Sequence, residues 1–281
     1  MPATAGIRLR DAGDAGDAGD AGDAYTNGVL GHGRTGEYER LRLLERVSDP
    51  ATVRILERLP MTRSWHCADI GAGTGSLAGW LAARCPDGQV TATDVDTRYL
   101  DAMPRPGNLT VLDQDATRGS FPPASLDLVH ARALLTHLPG PEKVVRRMAG
   151  WLKPGGWLVI EDPTYLPAEA SPYPEFAALL AACGRLLALT QATDTTWARR
   201  IPAAMAEAGL TDVGMSAELS VCGRDEVEDA YWRRSFAQAT PGLLEYGLMS
   251  EDRIQRAVGH LDEPGFADAA WLMVSCWARR R

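Results

Sequence analysis

The stretch that decides the fold is Asp69-Ile70-Gly71-Ala72-Gly73-Thr74-Gly75, which follows a short apolar run and opens a helical pattern. Glycines at alternate positions let the backbone turn tightly and let a ligand approach it closely. The first turn of the following helix contributes backbone N–H groups that have no intrahelical partners. The stretch therefore predicts a ligand-binding turn between a buried strand and a helix.

Short buried strands and helices alternate on the C-terminal side of this turn. Apolar residues at helical spacing occur over residues 76–85 and again over residues 144–152. Strand patterns fall at residues 66–70, 90–95, 109–112, 126–129 and 157–160. Because such alternation is typical of parallel, doubly wound sheets, we expect a Rossmann-like α/β fold.

The N-terminal flank divides into a leader and a helical cover. Residues 1–24 contain an acidic Asp-Ala-Gly repeat that has no large apolar side chain, which predicts a disordered acidic leader. Residues 25–64 predict a helical cover, with one helix from Tyr38 to Val47 and a second helix that begins at Asp49-Pro50.

The C-terminal flank departs from the simple alternation. Clustered prolines after residue 162 predict a stiff linker. The remaining predicted elements are helices over 176–187, 197–209 and 224–262 and strands over 210–219 and 270–277. Residues 65–281 are therefore expected to form one domain with helical lid insertions at about 163–208 and 220–265.

A carboxylate after the second strand narrows the class of ligand. Asp94 lies 19 residues after Gly75, and a carboxylate at this point can bind both hydroxyls of a ribose. A dinucleotide-binding turn reads Gly-x-Gly-x-x-Gly, but the last of these positions is Ser76 here. The spacing favours an adenosyl ligand without a pyrophosphate. A nicotinamide-dependent oxidoreductase and a ligand-free strand-to-helix turn stay open as alternatives.

Further motifs fall at the expected distances along the chain. Asp113-Gln114-Asp115-Ala116 follows the third strand, where Asp115 either accepts a hydrogen bond from an adenine amino group or forms an Asx-turn. Leu126-Asp127-Leu128-Val129-His130 fits the fourth strand, and Leu152-Lys153-Pro154-Gly155-Gly156 precedes the fifth. Between Trp65 and Asp162 the sequence thus resembles the class I S-adenosylmethionine-dependent methyltransferases.

The resemblance implies a fold and a cofactor. It implies a seven-stranded sheet in the order 3-2-1-4-5-7-6 with strand 7 antiparallel, and S-adenosylmethionine as the methyl donor. Length and lids resemble bacterial small-molecule members of specialised metabolism, such as enzymes of antibiotic biosynthesis. An aromatic or indole-type small acceptor is therefore expected, while a non-catalytic adenosyl-binding scaffold and a protein or RNA methyltransferase stay open as alternatives.

The resemblance also implies roles for individual residues around the cofactor. The methionine part would contact Asp69, Gly71, Gly73 and Gly75, and the adenosine part would contact Asp94, Val95, Asp115 and Ala116. His130 and Arg132 would lie near the sulfonium and amino-acid end, and Arg40 would pair with the cofactor carboxylate.

Catalytic and acceptor-binding candidates come from strand ends and covering segments. His130, His137 and Tyr25 are candidates for chemistry, since histidine titrates near neutral pH. The candidates for acceptor contacts are His32, Glu161, Tyr165, Trp197 and Trp232. We expect no metal, because residues 130–132 lack the clustered oxygen ligands that a metal-assisted mechanism needs.

Composition and charge bound the partners. The net charge is −8 and the five cysteines are scattered without Cys-x-x-Cys spacing, so we expect neither a nucleic-acid partner nor a zinc site or disulfide framework. The absence of a long apolar stretch predicts no membrane span. We expect a cytoplasmic protein that binds a small-molecule acceptor, and a homodimer through the N-terminal helices is compatible with the pattern.

Overall fold

Seven strands form one sheet in the order β3-β2-β1-β4-β5-β7-β6. The computed structural model describes residues 28–166 and 170–281. The strands are β1 His66–Ile70, β2 Gln89–Asp94, β3 Leu109–Asp113, β4 Leu126–Arg132, β5 Leu152–Tyr165, β6 Thr211–Cys222 and β7 Asp268–Arg279. Strands β1 to β5 pair in parallel, and β7 runs antiparallel to both β5 and β6. The predicted strand order and the antiparallel β7 are confirmed.

Helices cover both faces of the sheet. They are α1 Glu37–Leu56, α2 Ser76–Arg84, α3 Arg98–Ala102, α4 Pro141–Trp151, α5 Pro174–Gln191, α6 Ile201–Glu207, α7 Glu226–Glu245 and α8 Glu251–Gly259. Short 3-10 helices lie at Leu135–His137, Trp197–Arg200 and His260–Asp262. The short α3 was not predicted, and the single helical stretch expected over 224–262 divides into α7, α8 and a 3-10 turn.

Three apolar clusters stabilise this arrangement. One packs α4 and α6 against the central strands, and a second packs α2 and the end of α1 against β1 and β2. The third joins α5, α7 and α8 beyond the carboxyl edge of the sheet and includes Leu44 of α1. Burial of these apolar side chains is the main favourable contribution to folding.

The N-terminal cover has one long helix where two were expected. Helix α1 continues through Pro50, although proline removes one intrahelical donor. Tertiary contacts on both sides of the proline hold the helix straight on the sheet: Asp49 accepts a hydrogen bond from Arg132, and Thr52 donates one to Glu161. The prediction of a helix start at Asp49-Pro50 is therefore wrong.

Strand β5 is longer than predicted at both ends. It begins at Leu152 and includes Pro163, which the sequence placed in a linker. Pairing with β4 ends at Glu161, whereas pairing with β7 continues to Tyr165. Proline is tolerated at such a position because one side of the strand has no partner there.

The lid insertions divide between two locations. Helices α5 and α7 join the cluster beyond the sheet edge, as expected of covers. Residues 197–207 instead pack against α4 and the sheet, so this part of the first insertion belongs to the core. The acidic leader 1–24 and Tyr25 lie outside the described residues.

Gly75 tests how tightly the turn before α2 is constrained. Its φ is +87°, and a Cβ would lie 2.4 Å from Met103 Sδ and 2.9 Å from the buried Leu100. Gly75→Ala should lower the free energy of unfolding by about 2 kcal/mol or more, through left-handed strain and overpacking. Urea denaturation measures the change.

Gly247→Ala is the matched control, because Gly247 also has a positive φ of +61° but no atom within 4 Å of its Cβ position. It should cost only about 1 kcal/mol. Equal costs for the two variants would show that crowding around Gly75 does not constrain the turn.

Candidate functional site

The glycine turn is fixed by backbone hydrogen bonds to the neighbouring strand. The N–H groups of Gly71 and Ala72 both donate to the carbonyl oxygen of Thr93, at 2.8 and 2.9 Å. Gly71 and Gly73 have positive φ values of +69° and +58°. A Cβ on Gly73 would meet no atom within 4 Å, so open space lies beside the turn.

Asp94 joins the turn to the end of β2. Its carboxylate accepts hydrogen bonds from the N–H of Gly73 at 3.0 Å and of Asp96 at 3.2 Å. Burial raises the pKa of Asp94, against the effect of these amides and of the nearby His32. A buried carboxylate held at the rim of a turn is well placed to bind the hydroxyl groups of a ligand.

A cavity lies over the carboxyl ends of the strands. It has about 1720 Å³ of empty space, including its opening to solvent. The side of the cavity at strands β1 to β3 is called the polar half. It contains Asp69, Gly71, Gly73, Asp94, Val95, Asp115 and Ala116. We call the side formed by β5, β7, α5 and α7 the aromatic half; this half contains Tyr165, Leu186, Tyr231, Trp232, Phe236 and Trp271.

The aromatic half is one connected set of rings. The ring centroids of Trp232 lie 5.0 Å from Trp271 and 5.3 Å from Phe236, and Tyr231 lies 5.6 Å from Trp271. Tyr165 meets Trp271 edge-on at 6.0 Å. Tilted and edge-on contacts of this kind fix the rings relative to one another, so the aromatic half presents a preformed apolar wall.

Asp115 carries an unused acceptor at the polar half. Its Oδ1 accepts from the N–H and the hydroxyl of Thr117, at 2.6 and 2.7 Å, as an Asx-turn predicts. Its buried Oδ2 has no hydrogen-bond partner in the described part of the chain, and Arg118 Nε lies 3.8 Å away. Because buried acceptors without partners are costly, this atom fits a ligand that brings its own donor.

A buried row of charged groups lies beneath the cavity. His130 Nδ1 is 2.7 Å from Asp69 Oδ1, and His130 Nε2 is 3.2 Å from Glu161 Oε2. All three side chains are almost completely buried. They come from β1, β4 and β5, which are neighbours in the sheet.

Arg132 and helix α1 extend this row. Arg132 donates to Thr52 Oγ1 at 2.9 Å and to Asp49 Oδ1 at 2.6 Å. Ser76, the first residue of α2, donates to the same Asp49 oxygen at 3.2 Å. The cover helix is thereby tied by polar contacts to both β4 and the helix after the glycine turn.

The protonation states of the two histidines differ. Burial lowers the pKa of His130, but hydrogen bonds and charges from Asp69 and Glu161 outweigh it and raise the pKa to about 9. For His137, burial and the charge of Arg40 lower the pKa to about 4. At neutral pH His130 is therefore an imidazolium, and His137 is neutral.

Comparison with known proteins now adds to the geometry. The family model described as a methyltransferase domain matches residues 68–160. Methyltransferase str3 of Strobilurus tenacellus is 39% identical over 101 residues, which are 36% of each chain. Over this part of the chain, the protein is similar to the class I S-adenosylmethionine-dependent methyltransferases.

Other relatives of this chain match over similar lengths. A trans-aconitate 2-methyltransferase of Methylobacterium radiotolerans is 33% identical over 40% of this chain and 43% of its own. A 27-O-demethylrifamycin SV methyltransferase of Amycolatopsis mediterranei is 31% identical over 45% of this chain and 49% of its own. The chain therefore spans less than half of the length of these curated relatives.

Solved structures support the methyltransferase fold. The YcgJ protein of Bacillus subtilis has a TM-score of 0.54 at 15% identity and covers 81% of this chain and 97% of its own. A phosphoethanolamine N-methyltransferase 2 of Haemonchus contortus has a TM-score of 0.51 at 16% identity, over 92% of this chain and 56% of its own. At such identities the likeness concerns the fold alone.

The structure brings most of the predicted site residues together. Those that line the cavity are Asp69, Gly71, Gly73, Asp94, Val95, Asp115, Ala116, His130, Arg132, Arg40, His137, Tyr165, Trp232 and His32. His32, expected at the acceptor, lies at the polar half, where its Nδ1 is 3.1 Å from the carbonyl oxygen of Asp96.

Three predicted contacts need correction. Glu161 lies behind the cavity wall, bonded to His130, Thr52 and Ser275. Trp197 is fully buried in the core below the sheet edge, where its indole donates to Asp162 at 3.1 Å. Gly75 does not line the cavity, because its positive φ serves the start of α2. None of these three residues is among those that line the cavity.

The contacts of His130 and Arg40 bear on the chemical roles predicted for them. His130 is charged and has both ring nitrogens bound, so it is no base at neutral pH. Arg40 forms a buried ion pair with Glu37, with two nitrogen–oxygen distances of 2.7 Å, and its Nη1 lies 3.5 Å from the Tyr231 hydroxyl. Arg40 also lines the cavity, and its expected pairing with a cofactor carboxylate stays a prediction.

Several lining residues were missed by the sequence interpretation. Tyr231, Phe236 and Trp271 line the aromatic half, but the sequence predicts only that they belong to a helix over 224–262 and a strand over 270–277. Apolar periodicity marks the buried face of a helix or strand without saying whether a wall or a cavity faces it. Within the described residues, no cluster suits a metal ion and no helix is long and apolar enough to cross a bilayer.

Asp162 is a buried acid on the sheet face opposite Glu161. Burial raises its pKa to about 8, despite the hydrogen bond from Trp197. A raised carboxyl pKa means that the native state binds this proton more tightly than the unfolded chain. The free energy of unfolding should therefore fall as pH rises from about 4 to about 8.

Asp162→Asn keeps an oxygen acceptor for Trp197 and removes the charge. It should raise the free energy of unfolding at pH 8 by about 2 kcal/mol or more, with the gain shrinking as pH falls towards 4. Urea denaturation at several pH values measures this, with the exposed Asp252→Asn as control. A variant less stable than wild type at every pH would contradict the assignment.

Proposed function

We propose that this methyltransferase transfers a methyl group from S-adenosylmethionine to a small organic acceptor, preferably an aromatic or indole-type specialised metabolite. The observation that carries the proposal is the single cavity, which has the glycine turn with Asp94 at one side and a wall of aromatic rings at the other. The methyl donor and the acceptor would therefore meet in one cavity.

The polar half fits the cofactor residue by residue. Asp94 faces the ribose hydroxyls, and Val95 and Ala116 offer apolar contacts to the adenine. Asp115 Oδ2, which accepts no hydrogen bond within the described residues, accepts one from the adenine amino group. Asp69 faces the ammonium group of the methionine part. Arg132 stands near the carboxylate. The bound cofactor supplies a methyl group already activated by its sulfonium.

Orientation and exclusion of water are the main tasks left to the protein. Proximity and alignment can contribute several kcal/mol to such a displacement. The rings of Tyr231, Trp232 and Trp271 form a preformed apolar wall that orders a flat acceptor without rearranging. Pockets that are mostly apolar with a few polar groups are typical sites for small molecules.

The names of the relatives support a small acceptor. One relative is named for methyl transfer to trans-aconitate and another for methyl transfer to demethylrifamycin SV, both small molecules. Those substrates belong to those proteins. The aromatic half of this cavity is the reason for preferring an aromatic acceptor here.

His137 is the proposed general base where the acceptor must lose a proton. It lines the cavity, is neutral at neutral pH, and its Nδ1 lies 2.8 Å from the Thr193 hydroxyl, which orients the ring. A neutral imidazole can accept a proton, whereas the charged His130 cannot. Its low pKa makes it a weak base, so its contribution lies at the lower end of general base catalysis.

The proposed contact of Asp94 with the ribose can be tested by substitution. Asp94→Asn should weaken binding of S-adenosylhomocysteine about 30-fold, because one carboxylate oxygen that binds the ribose is lost. Titration calorimetry measures the dissociation constant. Asp101→Asn on the nearby α3 is the control, since Asp101 is exposed and bonds Thr97. Unchanged binding by the Asp94 variant would remove the ribose assignment.

The proposed role of His137 as a general base can be tested in the same way. His137→Asn should lower kcat about 100-fold with an acceptor that loses a proton, while the dissociation constant of S-adenosylhomocysteine stays unchanged. A panel of phenols, indoles and carboxylic acids identifies an acceptor through the release of S-adenosylhomocysteine. Wild-type kcat in the variant would show that the acceptor attacks without this base, and no turnover on any acceptor would favour a binding protein.

A further inference from the structure

Glu161 is a buried charge that the proposed reaction does not use directly. Its Oε1 accepts from the Ser275 hydroxyl at 2.5 Å, and its Oε2 accepts from the Thr52 hydroxyl at 2.5 Å. The same Oε2 lies 3.2 Å from His130 Nε2. Burying a carboxylate this completely is costly, so these three partners are needed to keep it ionised.

His130 transmits the position of Glu161 to the cavity. The opposite ring nitrogen, Nδ1, lies 2.7 Å from Asp69 Oδ1. Asp69 and His130 line the cavity, whereas Glu161 stands one layer behind them. An imidazole held at both nitrogens cannot rotate, and it therefore fixes the direction of the Asp69 carboxylate.

We propose that Glu161 is a positioning residue that acts through His130, and that the pair presets the Asp69 carboxylate to bind the ammonium group of the cofactor. The proposal rests on the proposed function, because it assumes that the cofactor's amino-acid end lies beside Asp69. Asp69 would be the binding group, and neither Glu161 nor His130 would need to touch the ligand's reacting atoms.

The charges of the row suit a cationic group. Two carboxylates and one imidazolium leave a net charge of −1, which attracts an ammonium group. The charged groups that face His130 are Asp69 from β1 and Glu161 from β5, and Arg132 and Asp49 stand next in the row. The pKa of Glu161 is lowered: burial raises it, but the hydrogen bond and charge of His130 lower it more.

The contact with Thr52 offers a competing explanation. Glu161 also joins the sheet to α1, so its role could be limited to holding the cover helix in place. That purely structural role predicts a loss of stability without any change in the affinity of the folded variant for S-adenosylhomocysteine. The positioning role predicts weaker binding in a folded variant, together with a lower pKa of His130 when Glu161 loses its charge.

The test compares wild type with Glu161→Gln, which keeps the size of the side chain. Nitrogen-detected NMR of the imidazoles follows His130, one of five histidines, whose signal is assigned by its loss in His130→Gln. In wild type the ring should stay protonated from pH 6 to pH 8, and in Glu161→Gln its pKa should fall. The dissociation constant for S-adenosylhomocysteine should rise about tenfold in the variant.

Glu218→Gln is the matched control. Glu218 also joins a strand of the sheet to α1, through Arg54 at 2.8 Å, but both side chains are more than half exposed. This control should leave the His130 signal and the dissociation constant unchanged. Thermal unfolding of each variant shows whether the fold is kept.

The outcomes separate the two proposals. A wild-type ring that titrates between pH 6 and 7 overturns the positioning role and needs no variant for that result. Wild-type affinity in Glu161→Gln overturns it as well. Failure of the wild type itself to bind S-adenosylhomocysteine overturns the proposed function, and the positioning role falls with it.

Discussion

The site depends on one interaction, the buried imidazolium of His130 between two carboxylates. Both Asp69 and Glu161 are almost completely buried, and each would be costly to bury as an isolated charge. The extra proton on His130 places a positive charge between the two carboxylates. Both carboxylates can therefore stay ionised at the edge of an apolar sheet. The floor of the cavity is therefore rigid and carries a small net negative charge.

Sheet order explains why these groups meet. Strands β1, β4 and β5 are neighbours. Asp69 and His130 lie near the carboxyl ends of β1 and β4, and Glu161 is the last residue of β5 that pairs with β4. Asp69 pairs with His130 in register, and His130 pairs with Val159. The row is then closed from above by Thr52 and Asp49 of α1, so that the cover helix and the sheet share one polar network.

The glycine turn and Asp94 were predictable because their signals are local, whereas the strand order followed from the resemblance to a known family. Backbone turns and strand ends leave a pattern within a few residues. The charge on His130 and the burial of Trp197 were not predictable from one sequence, because each depends on which distant side chains approach. The pairing of Arg40 with Glu37 was missed although its signal is local, since the two residues lie three apart on α1.

The aromatic half shows the same limit from another side. Tyr231, Phe236 and Trp271 belong to apolar stripes that look like ordinary core faces, and the cavity beside them arises only when α5 and α7 fold over the sheet edge. Pro50 shows that local rules can also mislead. Its helix continues because Asp49 and Thr52 are held by tertiary contacts on either side.

The most direct measurement is calorimetric titration of the wild-type protein with S-adenosylhomocysteine, with NAD in a parallel titration. One-site binding of S-adenosylhomocysteine in the micromolar range and no heat with NAD is the predicted result. Absence of S-adenosylhomocysteine binding, or binding of NAD at the same site, would contradict the assignment of the cavity to a methyl donor.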